Sequence, residues 1–120
     1  MFHHVQISVR DFAKSLRFYT DALRPLGYQP HSVDEASKSA GFGPPSGVRL
    51  WIGVGTPSNG PVHIAFEAPS PKAVAEFHAA AIAAGGKDHG KPGPRPDYGE
   101  KYHAAFVIDP DGNNIEAVVS

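Results

Sequence analysis

The chain contains no cysteine. That excludes a disulfide framework, a thiolate metal site and a thiol nucleophile. It also fits a reducing compartment, so a cytoplasmic protein is expected. Net charge is nearly absent, with 11 basic against 12 acidic residues in 120. No basic cluster or stripe marks a nucleic-acid surface. No apolar run approaches the roughly 18 residues of a membrane helix. The first strand pattern starts straight after Met1, so no leader peptide is expected. The expected partner is therefore a small molecule or another protein, with neither nucleic acid nor membrane. What the chain does have is 13 glycines and 12 prolines, which cut it into short segments, and seven histidines. That histidine count prompts a search for a metal site. The length suits one domain over 1–120 with a core of its own.

"FHHVQISV" (2–9) alternates apolar and polar residues as a strand does. Asp11 reads as the N-cap of a helix whose apolar face is Phe12, Leu16, Tyr19, Leu23 and Leu26, stopped by Pro25 and Gly27. Short strands are expected near 28–33, 37–43 and 47–54, then a turn at "SNGP" (58–61). "VHIAFEA" (62–68) reads as a strand. Ser70-Pro71 opens a second helix with Val74, Phe77, Ala81 and Ile82 as its apolar face, ended by Gly85 and Gly86. A long Gly/Pro-rich loop is expected over 85–101. Strands at 102–108 and 113–119 follow, joined by "DPDG".

The two halves overlay with an offset of 59 residues, which places His4 on His63, Val5 on Ile64, Phe18 on Phe77 and Gly27 on Gly86. A run of matches in one register indicates an internal repeat, with modules at about 1–57 and 61–120. The fold class is α+β, built from two βαβββ modules. Neighbouring strand residues face opposite sides of a sheet. With Val5, Ile7 and Val9 facing the helices, His4 faces the open side and His3 is incidental. By the same parity His63 faces the open side in the second module, and Glu116 does so on the last strand. Singly, each of the three reads as an ordinary surface residue. Together they form a two-histidine, one-carboxylate set with open positions, suited to Fe(II), Mn(II) or another octahedral divalent ion.

"HHVQISVRDFAKSLRFYTDALRPLGY", "VHIAF" and "AFVIDPDGNNIEAV" together resemble the vicinal oxygen chelate superfamily. It includes glyoxalase I, extradiol dioxygenases, fosfomycin-resistance transferases and bleomycin-binding proteins. The resemblance implies paired βαβββ modules forming a half-barrel cup around a divalent ion (iron, manganese, zinc or nickel). It places the ligands on His4, His63 and Glu116, and implies a homodimer. Glyoxalase I commonly adds a fourth ligand at the position that mirrors Glu116 in the first module. Here that position is Trp51, which cannot ligate a metal and is expected to wall the cavity. Among the lining residues, Tyr102 is a candidate donor to a bound oxyanion and Glu67 a candidate base. Arg49 is placed to meet an anionic substrate, with Lys91, Arg95 and Tyr98 on the loop that would close over it and Phe106 as an apolar wall opposite Glu116. The reading implied is a metal-dependent lyase, isomerase or ring-cleaving dioxygenase that holds its substrate through two oxygens. The competing reading is a non-catalytic small-molecule or antibiotic-binding protein of the bleomycin-resistance type.

Overall fold

Asp11 marks the junction between the first strand and the first helix in the computed structural model, which describes residues 1–57 and 60–120. Its extended backbone (φ −118°) cannot continue a helix, and its carboxylate accepts from the backbone N–H of Lys14 at 3.1 Å. That satisfies one of the donors left free at a helix start. Ser70 does the same for the second helix, accepting from Ala73, with Pro71 at the first helical position. The elements are β1 (Val5–Val9), α1 (Phe12–Leu23), β2 (Gln29–Asp34), β3 (Ser39–Gly43) and β4 (Leu50–Val54). Then come β5 (His63–Glu67), α2 (Pro71–Ala83), β6 (Lys87–Pro94), β7 (His103–Ile108) and β8 (Asn114–Val119). A single 3-10 turn, Arg24–Leu26, follows α1, and Gly27 closes it at φ +89°, a conformation that costs glycine nothing. The expected turn at 58–61 includes Ser58 and Asn59, which lie outside the described residues.

The halves repeat strand by strand. One four-stranded sheet runs β1-β4-β3-β2 and the other β5-β8-β7-β6. Gln6 pairs with Trp51 across β1 and β4, and Ala65 pairs with Glu116 across β5 and β8. The offset of 59 equates Gln6 with Ala65, so the ladders put Trp51 and Glu116 in equivalent positions. The sheets stay open and do not close into a barrel.

Three sequence expectations change. The stretch 85–101 is not one long loop, because Lys87–Pro94 is strand β6. Its register against β7 shifts twice, between Asp88 and Gly90 and again between Gly90 and Gly93. Pro92 and Pro94 lack an N–H, which an outermost strand tolerates. A side chain at Gly90 would come within 2.8 Å of the Phe106 ring. The glycines and prolines that suggest a loop are therefore the residues that let an irregular edge strand form. Ile82 is 37% exposed, whereas Ala73, Val74, Phe77 and Ala81 are buried. At 100° per residue it sits about 140° around the helix from Phe77. Finally, β1 begins at Val5, so His3 and His4 precede the strand and parity does not separate them. Their Nδ1 atoms lie 2.9 Å apart.

One apolar cluster spans both modules and includes Phe18, Tyr19, Phe42 and Ile52 with Phe66, Phe77, Val107 and Ile115. Helices α1 and α2 pack together, and Arg17 donates to the Ala83 carbonyl at 3.1 Å. The β7–β8 turn is pinned to α1 by a buried polar knot. Asp109 accepts from the backbone N–H groups of Asp111 and Asn113, from Asn113 Nδ2, and from the Tyr19 hydroxyl at 2.5 Å. Burial, and then the adjacent carboxylate, hold the Tyr19 phenol well above its ordinary pKa. Gly112 closes the turn at φ +92°. Tyr19→Phe deletes one charge-assisted bond while three donors still serve Asp109. It is expected to cost about 2 kcal/mol, measurable as a lower urea midpoint at unchanged slope.

Candidate metal and substrate site

The site begins with β8. Alternation puts Ile115 and Ala117 against the helices and Glu116 on the opposite face, where it pairs with Phe106 of β7, as the "DPDG" turn predicts. Glu116 is nonetheless only 3% exposed, and a carboxylate so placed needs partners. It has two. The Tyr102 hydroxyl donates to Oε2, and His63 Nε2 lies 2.9 Å from Oε1. The hydrogen bond to Glu116 first, and then burial, pushes the Tyr102 phenol up to about 12.

His63 stands at the start of β5, its side chain 49% exposed. Its Nδ1 lies 3.0 Å from the Asn114 carbonyl. A carbonyl can only accept, so Nδ1 carries the hydrogen, and a neutral ring would present a lone pair at Nε2. That lone pair would face a carboxylate oxygen, which is also an acceptor. At 2.9 Å the contact therefore requires a proton between the two atoms. An imidazole whose other nitrogen is fixed by a carbonyl, beside a buried carboxylate, is a pair of donors that suits a divalent ion once that proton leaves. The His63 ring also stacks on Phe106, with centroids 6.2 Å apart, and Arg95 sits over the same phenyl ring at 5.5 Å.

His4 is elsewhere. Among the described residues no cluster of three histidine, aspartate or glutamate side chains is arranged to hold an ion. His4 and His3 line a cavity of about 570 Å³ at the junction of the modules, together with Arg49, Glu67 and Tyr28. Going along β1, its neighbours run from Ala65–Glu67 at one end to Val62, Asn113 and Asp111 at the other. Strands β1 and β5, each at one end of its sheet, therefore run in opposite directions, and their histidine-bearing starts point to opposite ends.

The remaining candidates fall into two groups. Arg49 and Glu67 share the His4 cavity, and Arg49 donates to the Val48 carbonyl and Ser46 Oγ. Arg95, Tyr98 and Phe106 surround a cavity of about 290 Å³ on the His63 side. Much of Arg95 is committed, since it donates to the carbonyls of Lys91, Gly93 and Pro94. Trp51 is half-buried and lies on Gly41, where a Cβ would approach its ring to 2.8 Å. In sheet order Gly41 and Trp51 stand where the second module has Phe106 and Glu116. Sequence reasoning missed Asn114, whose carbonyl orients His63, and His89, which lines the Arg95 cavity. Asn114 acts through its backbone carbonyl, for which side-chain parity gives no signal. His89 lies in the stretch read as loop.

Comparison with known proteins decides the family. The model described as the Glyoxalase/Bleomycin resistance protein/Dioxygenase superfamily matches residues 1–117. The chain belongs to this superfamily. A crystal structure of a glyoxalase/bleomycin resistance protein from Albidiferax ferrireducens T118 is 34% identical, with 98% of each chain covered and a TM-score of 0.83. A putative glyoxalase from Bacillus halodurans is 23% identical over 100% of this chain and 96% of its own, with a TM-score of 0.74. A glyoxalase-related enzyme from Fulvimarina pelagi is 19% identical over 100% and 88%, with a TM-score of 0.75. These last two share the fold. No curated protein matches. The superfamily includes both metalloenzymes and binding proteins, so membership leaves the choice to the site. Among the described residues no helix is long and apolar enough to cross a membrane.

Proposed function

We propose that the chain is a divalent-metal-dependent enzyme of the vicinal oxygen chelate type, with residues 1–120 acting as one unit on a small substrate held through two adjacent oxygens. The observation that carries this reading is the His63–Glu116 pair: a buried carboxylate in contact with an imidazole that is oriented through its other nitrogen. His63, Glu116 and His4 would hold the ion, one of iron, manganese, zinc or nickel. When bound, the ion supplies Lewis-acid polarisation of the substrate oxygens. The absence of a carboxylate at Trp51 favours three-ligand chemistry over that of a four-ligand glyoxalase I. Arg49, Arg95, Tyr98 and Phe106 supply the cationic and apolar walls, and Trp51 closes the first-module side. Glu67, beside His4, is the candidate base.

His4 reaches the other two ligands by homodimerisation, from a second copy. One feature supports this. Phe2, Val5 and Val62 are exposed apolar residues at the starts of β1 and β5, Phe2 by 90%.

The separation of His4 within one chain is the observation that favours the second reading, a metal-free binding protein. Metal analysis of protein purified without chelator, paired with its mass in solution, tells the two apart. A dimer carrying a stoichiometric ion that His63→Ala removes supports the enzyme. A trace of ion that His63→Ala leaves unchanged sinks it.

A further inference from the structure

We infer that Tyr102 is a positioning residue that dictates how Glu116 meets a cation, taking Oε2 for itself and leaving Oε1 as the one oxygen on offer. The inference rests on the metal reading above. Glu116 only accepts when ionised, and its near-complete burial denies it water as a substitute partner. Each of its oxygens has one neighbour: Oε1 faces His63 Nε2 at 2.9 Å, and Oε2 accepts the Tyr102 hydroxyl. A carboxylate with both oxygens free can swing or chelate. One with an oxygen tied to a phenol presents a single direction.

The phenol is itself held. Tyr102 N–H donates to the Gly99 carbonyl at 3.3 Å, and the Tyr102 carbonyl accepts from Arg95 N–H at 2.8 Å. Its ring meets Tyr98 edge-on at 5.3 Å between centroids. The connection between β6 and β7 thus acts as a bracket for one hydroxyl. This assigns Tyr102 a task different from donating to a substrate oxyanion, because its single hydrogen is already on Glu116.

The test titrates the purified protein with Mn2+, followed by the EPR signal of free ion, and with Co2+, followed by visible absorption. Tyr102→Phe removes only the hydroxyl. It is expected to bind Mn2+ about tenfold more weakly and to change the Co2+ spectrum as Oε2 becomes free. Tyr19→Phe deletes another phenol-to-carboxylate bond and should lower the melting temperature while leaving both titrations unchanged. A second readout needs no variant. The downfield hydroxyl proton of Tyr102 should persist in Zn2+-loaded protein if Oε2 stays with the phenol, and vanish if the ion takes both oxygens. Tyr102→Phe titrations that match wild type, or loss of that proton, overturn the inference alone. Failure of wild type to bind any ion overturns the metal reading and this inference together.

Discussion

Glu116→Gln is expected to fold like the wild type and to lose its divalent ion. The substitution keeps the side chain's length and planarity at a buried position. The amide oxygen can still accept from Tyr102, and the amide nitrogen can donate to the His63 Nε2 lone pair. Each polar atom of the side chain keeps a partner, so the full cost of an unpaired buried group is avoided. What disappears is the anion. An uncharged amide is a poor ligand for a hard divalent ion, so affinity should fall by roughly a hundredfold or more, beyond what losing an orienting partner costs. Equilibrium dialysis against Mn2+ or Zn2+, read beside a thermal melt, separates the two quantities. An ion retained at full stoichiometry would exclude Glu116 as a ligand. A collapsed melt would mean that the charge serves the fold. His63→Ala should lose metal as well, but less cleanly, because Glu116 would keep one protein partner in a buried setting.

The repeat was legible because it rests on local chemistry. Asp11 and Ser70 cap helices for reasons that operate within four residues, and Gly27 and Gly112 adopt positive φ where the chain must turn. Strand parity and the "DPDG" turn placed Glu116 opposite Phe106, and the ladder register has the same pair. Strand β6 was illegible because its composition contradicts its structure: Gly90, Pro92, Gly93 and Pro94 suit an edge strand only through contacts with β7, including the close approach of Gly90 to Phe106. Parity also failed at "HH", since alternation governs residues inside a strand and β1 starts one residue later. At the site, side-chain direction could be read from sequence, but partnership could not. Tyr102 looked like a donor awaiting a substrate, whereas it already serves Glu116. Phe106 looked like a bare wall, whereas it carries the His63 ring and the Arg95 guanidinium. The greatest difference concerns His4. Repeat symmetry matches it to His63, yet the opposite courses of β1 and β5 keep the two apart in one chain.

That separation leads to the second large effect. His4→Ala and Glu116→Gln should each lose metal as homodimers, and mixing the two should restore it. In a two-fold dimer the patch around His4 on one copy meets the patch around His63 and Glu116 on the other, and the reverse contact forms the second site. A mixed dimer then collects both lesions in one site and leaves the other intact. After subunit exchange about half of the dimers are mixed, so about a quarter of all sites should recover ion binding. If His4 instead joined His63 and Glu116 of its own chain through a rearrangement of β1, every chain in the mixture would still carry one lesion, and nothing would recover. If His4 were not a ligand, His4→Ala alone would bind normally and mixing would add nothing. Metal content measured before and after exchange therefore separates three arrangements. Recovery would also give the exposed Phe2, Val5 and Val62 a function, since they would lie where two copies meet.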